Sequence, residues 1–124
     1  MQGNQDIHER VFEFASRIVR LHDWFCKQRR GGNRTLINQL LNAGTAIGSN
    51  LEEARAGQSR ADFIAKSRIA LKEARESHYW LRLIERSGSV TSQRIHPLVV
   101  EANEIVAVLT TIVKNASPPR KPTS

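Results

Sequence analysis

The chain has 124 residues, a net charge of +7 at pH 7 and one cysteine, Cys26. This length suits a single domain with a modest core, and a lone cysteine excludes both an intrachain disulfide and a cysteine-cluster zinc site. Apolar residues follow helical spacing and only 6% of residues are aromatic, so the composition predicts an all-α protein in a reducing, cytoplasmic compartment.

The charge and the apolar runs also bear on partners. A sequence pI near 10.5 favours polyanions such as RNA, DNA or an anionic lipid surface. The longest uninterrupted apolar run is far shorter than a bilayer span, and the polar residues 1–8 lack the apolar core of a signal peptide. We therefore expect a soluble protein with no membrane partner.

The first predicted helix spans residues 6–28. Its apolar residues recur at steps of three and four, which indicates one buried face. They are Ile7, Val11, Phe14, Ile18, Leu21 and Phe25. Phe12 and Val19 are predicted to widen this face. Trp24 lies on the other side, between Arg17 and Arg20, a position that suits either a subunit interface or a binding surface.

The second predicted helix, residues 34–55, contains many small residues in the segment NAGTAIGSNLEEARAG. Gly44 and Gly48 are four residues apart and share one face, although each glycine costs about 1 kcal/mol against alanine in a helix. Small residues on one face let another backbone approach closely. They predict close packing, either with a helix of the same chain or with another subunit.

The third predicted helix covers residues 59–86 and begins with a capping arrangement of Ser59 and Asp62. The turn SGSVTSQ separates it from the last predicted helix, residues 92–115, in which Pro97 is expected to lie near the start. Residues 1–116 form one domain, and the proline-rich residues 117–124 are predicted to be disordered. Four helices with short connections predict an antiparallel up-down four-helix bundle.

Three polar residues raise the question of a site inside the bundle. Glu73 falls on a mainly apolar arc of the third helix, where a charge needs a partner. Asn50 and Glu53 of the second helix are predicted to lie with it, at a close-packing or subunit contact. The alternative is a paired-carboxylate metal or catalytic site. Carboxylate bundles of that kind use Glu-x-x-His pairs, which are missing from this sequence, so no metal ligand, cofactor or catalytic residue is assigned.

A stripe of cations on the third helix is the main functional signal. Its members step by four, three, four, three and four residues and so share one face about 27 Å long. They are Arg68, Lys72, Arg75, Tyr79, Arg82 and Arg86. Arginines can fork onto phosphate oxygens, and a tyrosine can stack on an exposed base. The stripe predicts nucleic-acid binding, although charge runs also occur on ordinary solvated helix faces.

The segment QLLNAGTAIGSNLEEARAGQSRADFIAKSRIALKEARESHYWLRLIE resembles the 23S rRNA intervening-sequence proteins, also called four-helix-bundle proteins. The resemblance rests on the small-residue turn, on residues 50–54 and 70–73, and on the Tyr-Trp-Leu at 79–81. It implies up-down bundles that associate into barrel-shaped pentamers, without known enzymatic activity. More distantly, the chain is similar to the accessory protein of diversity-generating retroelements, a basic pentamer that associates with RNA and a reverse transcriptase.

Together, the stripe and the resemblance predict a non-catalytic, basic, ring-like homo-oligomer that binds nucleic acid, RNA in preference to DNA. The resemblance favours a pentamer. The alternative is a scaffold whose basic face binds an acidic protein partner. No nucleophile paired with a base, no phosphate loop and no metal-ligand spacing occurs in the sequence, which argues against an enzyme.

Overall fold

The computed structural model describes residues 6–28 and 33–117. Within these ranges the chain forms four helices and no strand. The helices are α1 (Ile7–Lys27), α2 (Arg34–Ala56), α3 (Arg60–Ser87) and α4 (Ser92–Ala116). The predicted all-α class and the four helices are thereby confirmed. Residues 118–124 of the predicted disordered tail lie outside the described residues.

Local capping explains where the helices begin and end. The Ser59 hydroxyl accepts a hydrogen bond from the Asp62 N–H at 3.1 Å, as the capping pattern predicted. The Asn33 side chain caps α2 in the same way. Gly88 ends α3 with a φ of 78°, a left-handed conformation that glycine adopts at little cost. α2 and α3 therefore carry local signals for their starts, whereas Thr91 at the start of α4 makes no side-chain cap.

The position of Pro97 in α4 differs from the expectation that it lies near the start of the helix. Pro97 lies inside the helix, beyond the first turn. A proline removes one helical hydrogen bond and leaves the carbonyl four residues earlier without a donor. That carbonyl belongs to Gln93, and both residues are exposed to solvent. Water can satisfy it there, so the helix continues.

The core is formed by the apolar faces of all four helices. Its fully buried side chains include Phe14, Ile18, Ile37, Leu40, Ile47, Leu81, Ile84, Ile95, Ile105 and Leu109. Each such side chain contributes about 1.5–3 kcal/mol when removed from water. α2 packs closely against α3, α3 also packs against α4, and α1 packs mainly against α2 and only lightly against α4. A groove between α1 and α4 results.

Contacts between helix ends show which termini meet. The His8 ring in the first turn of α1 lies 3.8 Å from the Glu52 carboxylate near the end of α2. Arg60 at the start of α3 donates to the carbonyl of Ala116 at the end of α4, at 3.0 Å. The start of one helix thus lies beside the end of its neighbour in both pairs.

The buried face of α1 is narrower than the sequence suggested. Phe12 is 77% exposed and Val19 is 41% exposed, so neither belongs to the core. Phe12 lies about 120° around the helix from the fully buried Ile18, because successive residues turn by about 100°. No described helix covers that direction, and the expectation that these two residues widen the buried face is wrong for the single chain.

α4 is the most apolar helix. Its mean hydropathy reaches 1.4 over 18 residues, so by length and composition it could cross a membrane, which the uninterrupted apolar runs did not indicate. However, Ile95, Ala102 and Ile105 of α4 are fully buried in the core, and Glu101 of the same helix forms an ion pair with Arg10. The core helix of a soluble protein meets the same criterion.

Candidate nucleic-acid interface

All six residues of the predicted stripe lie exposed on α3. The opposite side of the helix is buried, with Ala70, Ala74 and Leu81 at 0% exposure. Two of these core positions are alanines, so α3 lies close to its neighbours along the face that turns inward. Because the stripe positions follow the helical repeat, burial of one face turns the stripe toward solvent. At 1.5 Å per residue the stripe runs about 27 Å along the surface.

The positive charge of the stripe is largely unneutralised. Among the described residues, the one stripe cation with an ion-pair partner within 4.0 Å is Lys72, whose Nζ lies 3.9 Å from the Glu76 carboxylate. Arg68 donates a hydrogen bond to the neutral hydroxyl of Ser117 at 3.2 Å. Guanidinium groups stay protonated in proteins. Arg75, Arg82 and Arg86 therefore present full charges to solvent without an acidic neighbour in ion-pair range.

Tyr79 gives the stripe an aromatic surface. Its side chain is 55% exposed, and its ring meets Trp80 edge-on, with centroids 5.3 Å apart and planes at 76°. Together with Arg82 and Arg86 it lines an open cavity of about 500 Å³. This arrangement combines a ring that can stack on a base with two guanidiniums that can bind its phosphates.

Two neighbouring groups affect the charge around this cavity. Glu85 brings a carboxylate into its lining. That carboxylate accepts hydrogen bonds from the Ser92 hydroxyl at 3.0 Å and from His96 Nδ1 at 2.9 Å, which tie α3 to α4. Burial, and then the charge of Arg82, hold the pKa of His78 below its usual value. This shift favours the neutral form of His78, so it adds less positive charge to the stripe than an ordinary histidine would.

The two glycines of α2 both face α1. Gly44 is buried, and a Cβ placed on it would lie 3.1 Å from Cγ1 and 3.2 Å from Cγ2 of Ile18. A Cβ on Gly48 would lie 3.6 Å from Cγ2 of Val11, an ordinary contact distance. Gly44 thus sits at a close approach of two helices within the chain, whereas Gly48 has room for a methyl group.

The polar residues predicted to share a contact occupy different environments. Asn50 is half-buried and donates to the carbonyl of Ala46 at 2.8 Å, while Glu53 is exposed. Glu73 is half-buried, and burial, followed by the charge of Glu76, raises the pKa of its carboxyl group. Within the described part of the chain no cation lies in ion-pair range of Glu73. The expected partner for this charge therefore stays a prediction.

A second basic region was not identified from the sequence. Arg17 and Arg20 of α1 and Arg94 of α4 line the groove between these helices, together with Leu21 and Leu98. The guanidinium carbon of Arg94 lies 4.1 Å from the centre of the Trp24 ring. Trp24 and its flanking arginines were visible in the sequence as a possible surface, but Arg94 belongs to another helix and carries no local signal.

In residues 6–28 and 33–117 no three side chains of His, Cys, Asp or Glu are grouped so that they could hold a metal ion.

The fold and the site define a small four-helix protein with an exposed basic helix face. A family model described as 23S rRNA-intervening sequence protein matches residues 3–111. The chain belongs to this family, which confirms the resemblance seen in the sequence. It is also 38% identical to a solved protein of unknown function from the S23 ribosomal protein family of Bacteroides thetaiotaomicron, with a TM-score of 0.81. The match covers 88% of this chain and 99% of that one. The chain matches no curated protein.

Proposed function

We propose that this protein is a non-catalytic nucleic-acid-binding protein that prefers RNA and acts in the cytoplasm. The observation that carries the proposal is the α3 stripe, in which Arg75, Arg82 and Arg86 are exposed without an acidic partner in range. A net charge of +7 acts in the same direction. The family name refers to 23S rRNA, which makes RNA the first nucleic acid to test.

The proposed mechanism is electrostatic. Arginine and lysine side chains that bind phosphates release condensed counterions, so affinity falls as salt rises. The logarithm of the association constant changes with the logarithm of salt concentration by about −0.9 per contacted phosphate on duplex DNA and about −0.7 on single strands. Tyr79 adds stacking on an unpaired base, which a duplex does not offer. This difference is the physical basis for preferring RNA loops.

The decisive experiment is a titration with a structured RNA hairpin and a DNA duplex of equal length, each at low and near-physiological salt. The variant Arg68→Gln/Arg75→Gln/Arg82→Gln removes three stripe charges and should reduce the salt slope for RNA by about 2. A control that removes three exposed cations elsewhere, at Lys27, Arg34 and Arg55, matches the loss of net charge.

The outcomes separate the alternatives. A slope that falls in the stripe variant and not in the control supports a site on α3. An equal fall in both variants would reduce the stripe to general positive charge. Equal, salt-sensitive binding of RNA and DNA would remove the RNA preference. A partner protein captured from lysate after nuclease treatment, and lost in the stripe variant, would favour the scaffold for an acidic protein instead.

We further propose that the four helices form an antiparallel up-down bundle, and that copies of it assemble into a ring-like homo-oligomer, with a pentamer favoured. The contacts between helix ends support the antiparallel order. Exposed Phe12 and Ile69 and the half-buried Glu73, which has no described cation in ion-pair range, support a surface that another subunit covers. Native mass spectrometry tests this directly, because five 14.0 kDa chains give about 70 kDa. A monomer at micromolar concentration would contradict it.

A further inference from the structure

Three arginines line one groove between α1 and α4. Arg17 and Arg20 extend from α1 and Arg94 from the first turn of α4. The cavity between them has a volume of about 350 Å³. Leu21 and Leu98 also line it and are only 5% and 4% exposed, so the groove has an apolar floor beneath its guanidinium groups. Its existence follows from the light packing of α1 against α4.

Two of the guanidiniums are held in place by neighbouring side chains. Arg94 lies over the Trp24 ring at 4.1 Å from its centre, in a cation–π contact. Arg20 donates to the Ser16 hydroxyl at 2.9 Å and to the Glu13 carboxylate at 3.4 Å. Groups fixed before a ligand arrives lose less conformational entropy when it binds. The groove is therefore partly preorganised.

The groove also has an excess of positive charge. Glu13 is the one described acid within 4.0 Å of any of its three guanidiniums. The acids of the neighbouring turn of α4, Glu101 and Glu104, are already bound to Arg10 at 2.6 and 2.7 Å. Arginine cannot relieve the repulsion by losing a proton. A bound anion would relieve it, and phosphate oxygens match the forked geometry of guanidinium groups.

We propose that this groove is a second phosphate-binding site, separate from the α3 stripe, in which Arg17, Arg20 and Arg94 hold one phosphate-bearing group. The volume is near the lower end of that of ligand pockets, about 300–1,000 Å³, so it suits a phosphate or pyrophosphate group and not a duplex. The group comes from a nucleic-acid backbone or from a free phosphate compound. The site does not depend on nucleic-acid binding by the stripe.

Inorganic pyrophosphate is the probe, and Trp24 is the reporter. Because Arg94 stacks on Trp24, pyrophosphate that binds Arg94 changes the emission of this tryptophan. The variant Trp80→Phe leaves Trp24 as the sole tryptophan, which is excited selectively at wavelengths that tyrosine does not absorb. Calorimetry on the unmodified chain measures binding without relying on that variant. We expect saturable binding at fixed ionic strength, about tenfold weaker in Arg17→Gln and in Arg94→Gln.

The matched control is Arg55→Gln, which removes the same charge from an exposed arginine of α2 that is outside the groove. It should leave the pyrophosphate affinity within about twofold, since surface charges more than about 10 Å away are largely screened at 0.1 M salt. No saturable binding, or equal weakening in Arg55→Gln, would overturn the proposal. Circular dichroism verifies that each variant keeps its helices.

Competition with a short single-stranded RNA identifies the source of the phosphate. RNA that displaces pyrophosphate in proportion to its own binding places the nucleic-acid backbone in the groove. RNA that binds without displacing pyrophosphate assigns the groove to a free phosphate compound. The stripe variant Arg68→Gln/Arg75→Gln/Arg82→Gln should keep its affinity for pyrophosphate. The RNA titration therefore tests the stripe proposal, and the pyrophosphate titration tests the groove proposal separately.

Discussion

Alanine substitutions at the two glycines that face α1 should have opposite effects on stability. At Gly44 the new methyl group would lie 3.1 Å from Cγ1 and 3.2 Å from Cγ2 of Ile18, closer than carbon atoms normally approach. Ile18 is fully buried, and side chains in a close-packed core have little room to shift. At Gly48 the nearest atom, Cγ2 of Val11, would be at 3.6 Å, where contact is favourable.

The magnitudes follow from two opposing terms. Replacing a helical glycine by alanine stabilises the helix by about 1 kcal/mol at either position. Overpacking a buried contact costs about 1–3 kcal/mol, and this cost applies only at Gly44. We therefore expect Gly48→Ala to raise the free energy of unfolding by about 0.5–1 kcal/mol, and Gly44→Ala to lower it by up to about 2 kcal/mol.

Urea denaturation followed by circular dichroism measures both changes, at one protein concentration because the proposed assembly would make stability concentration-dependent. A double-mutant cycle identifies the cause. Ile18→Ala removes the two atoms nearest the new methyl group, so its cost should be smaller in the Gly44→Ala background than in the unmodified chain. Equal stabilisation by both glycine substitutions, or additivity in the cycle, would refute the close approach of α1 and α2 at Gly44.

Two further predictions concern charged groups. Arg10→Gln removes the ion pair to Glu101, whose side chain is 20% exposed, and should lower the free energy of unfolding in urea by about 1–3 kcal/mol. The exposed Arg55 is the control, and an equally small effect of both substitutions would contradict a stabilising link between α1 and α4. Burial raises the pKa of Glu73 in the folded state above its usual 4.5. Folding therefore favours the protonated carboxyl group, and the free energy of unfolding falls as pH rises from the pKa of the unfolded state to that of the folded state. Glu73→Gln should therefore raise the melting temperature at pH 7 and leave it unchanged near pH 3, whereas a lower melting temperature at pH 7 would show that an assembled partner pairs with this charge.

The parts of the fold that could be predicted are those encoded over short distances in the chain. The steps of three and four between Val11, Phe14 and Ile18 define one helix face without reference to any other segment. Ser59 and Asp62 are three residues apart, and their cap formed as expected. The exposure of the stripe also follows from such local information, because Arg75 and Arg82 lie opposite the buried alanines of the same helix.

The contacts that could not be predicted join distant parts of the chain. Arg10 and Glu101 are 91 residues apart, and the sequence contains other acids that could pair with this arginine equally well. Arg94 meets Trp24 only because α4 lies beside α1. The same reason explains the error at Phe12, since helical spacing measures how apolar a face is but not how far the neighbouring helices reach around it.

The two exposed arcs of α3 explain how one helix could serve both proposed roles. Ile69 and Leu83 are 39% and 38% exposed, and the buried Nε1 of Trp80 has no hydrogen-bond partner among the described residues. These three residues lie on the same arc of the helix as Glu73, and the arc is centred roughly 100° around the helix from the centre of the stripe at 100° per residue. A second subunit that covers this arc would bury apolar surface and leave the stripe in solvent. Every added copy would then bring another stripe into the assembly, and weak phosphate contacts would reinforce one another through their high effective concentration. Oligomerisation and nucleic-acid binding would thus be coupled through a single helix without competing for its cations, with Leu83 at the border because it also lines the cavity beside Tyr79.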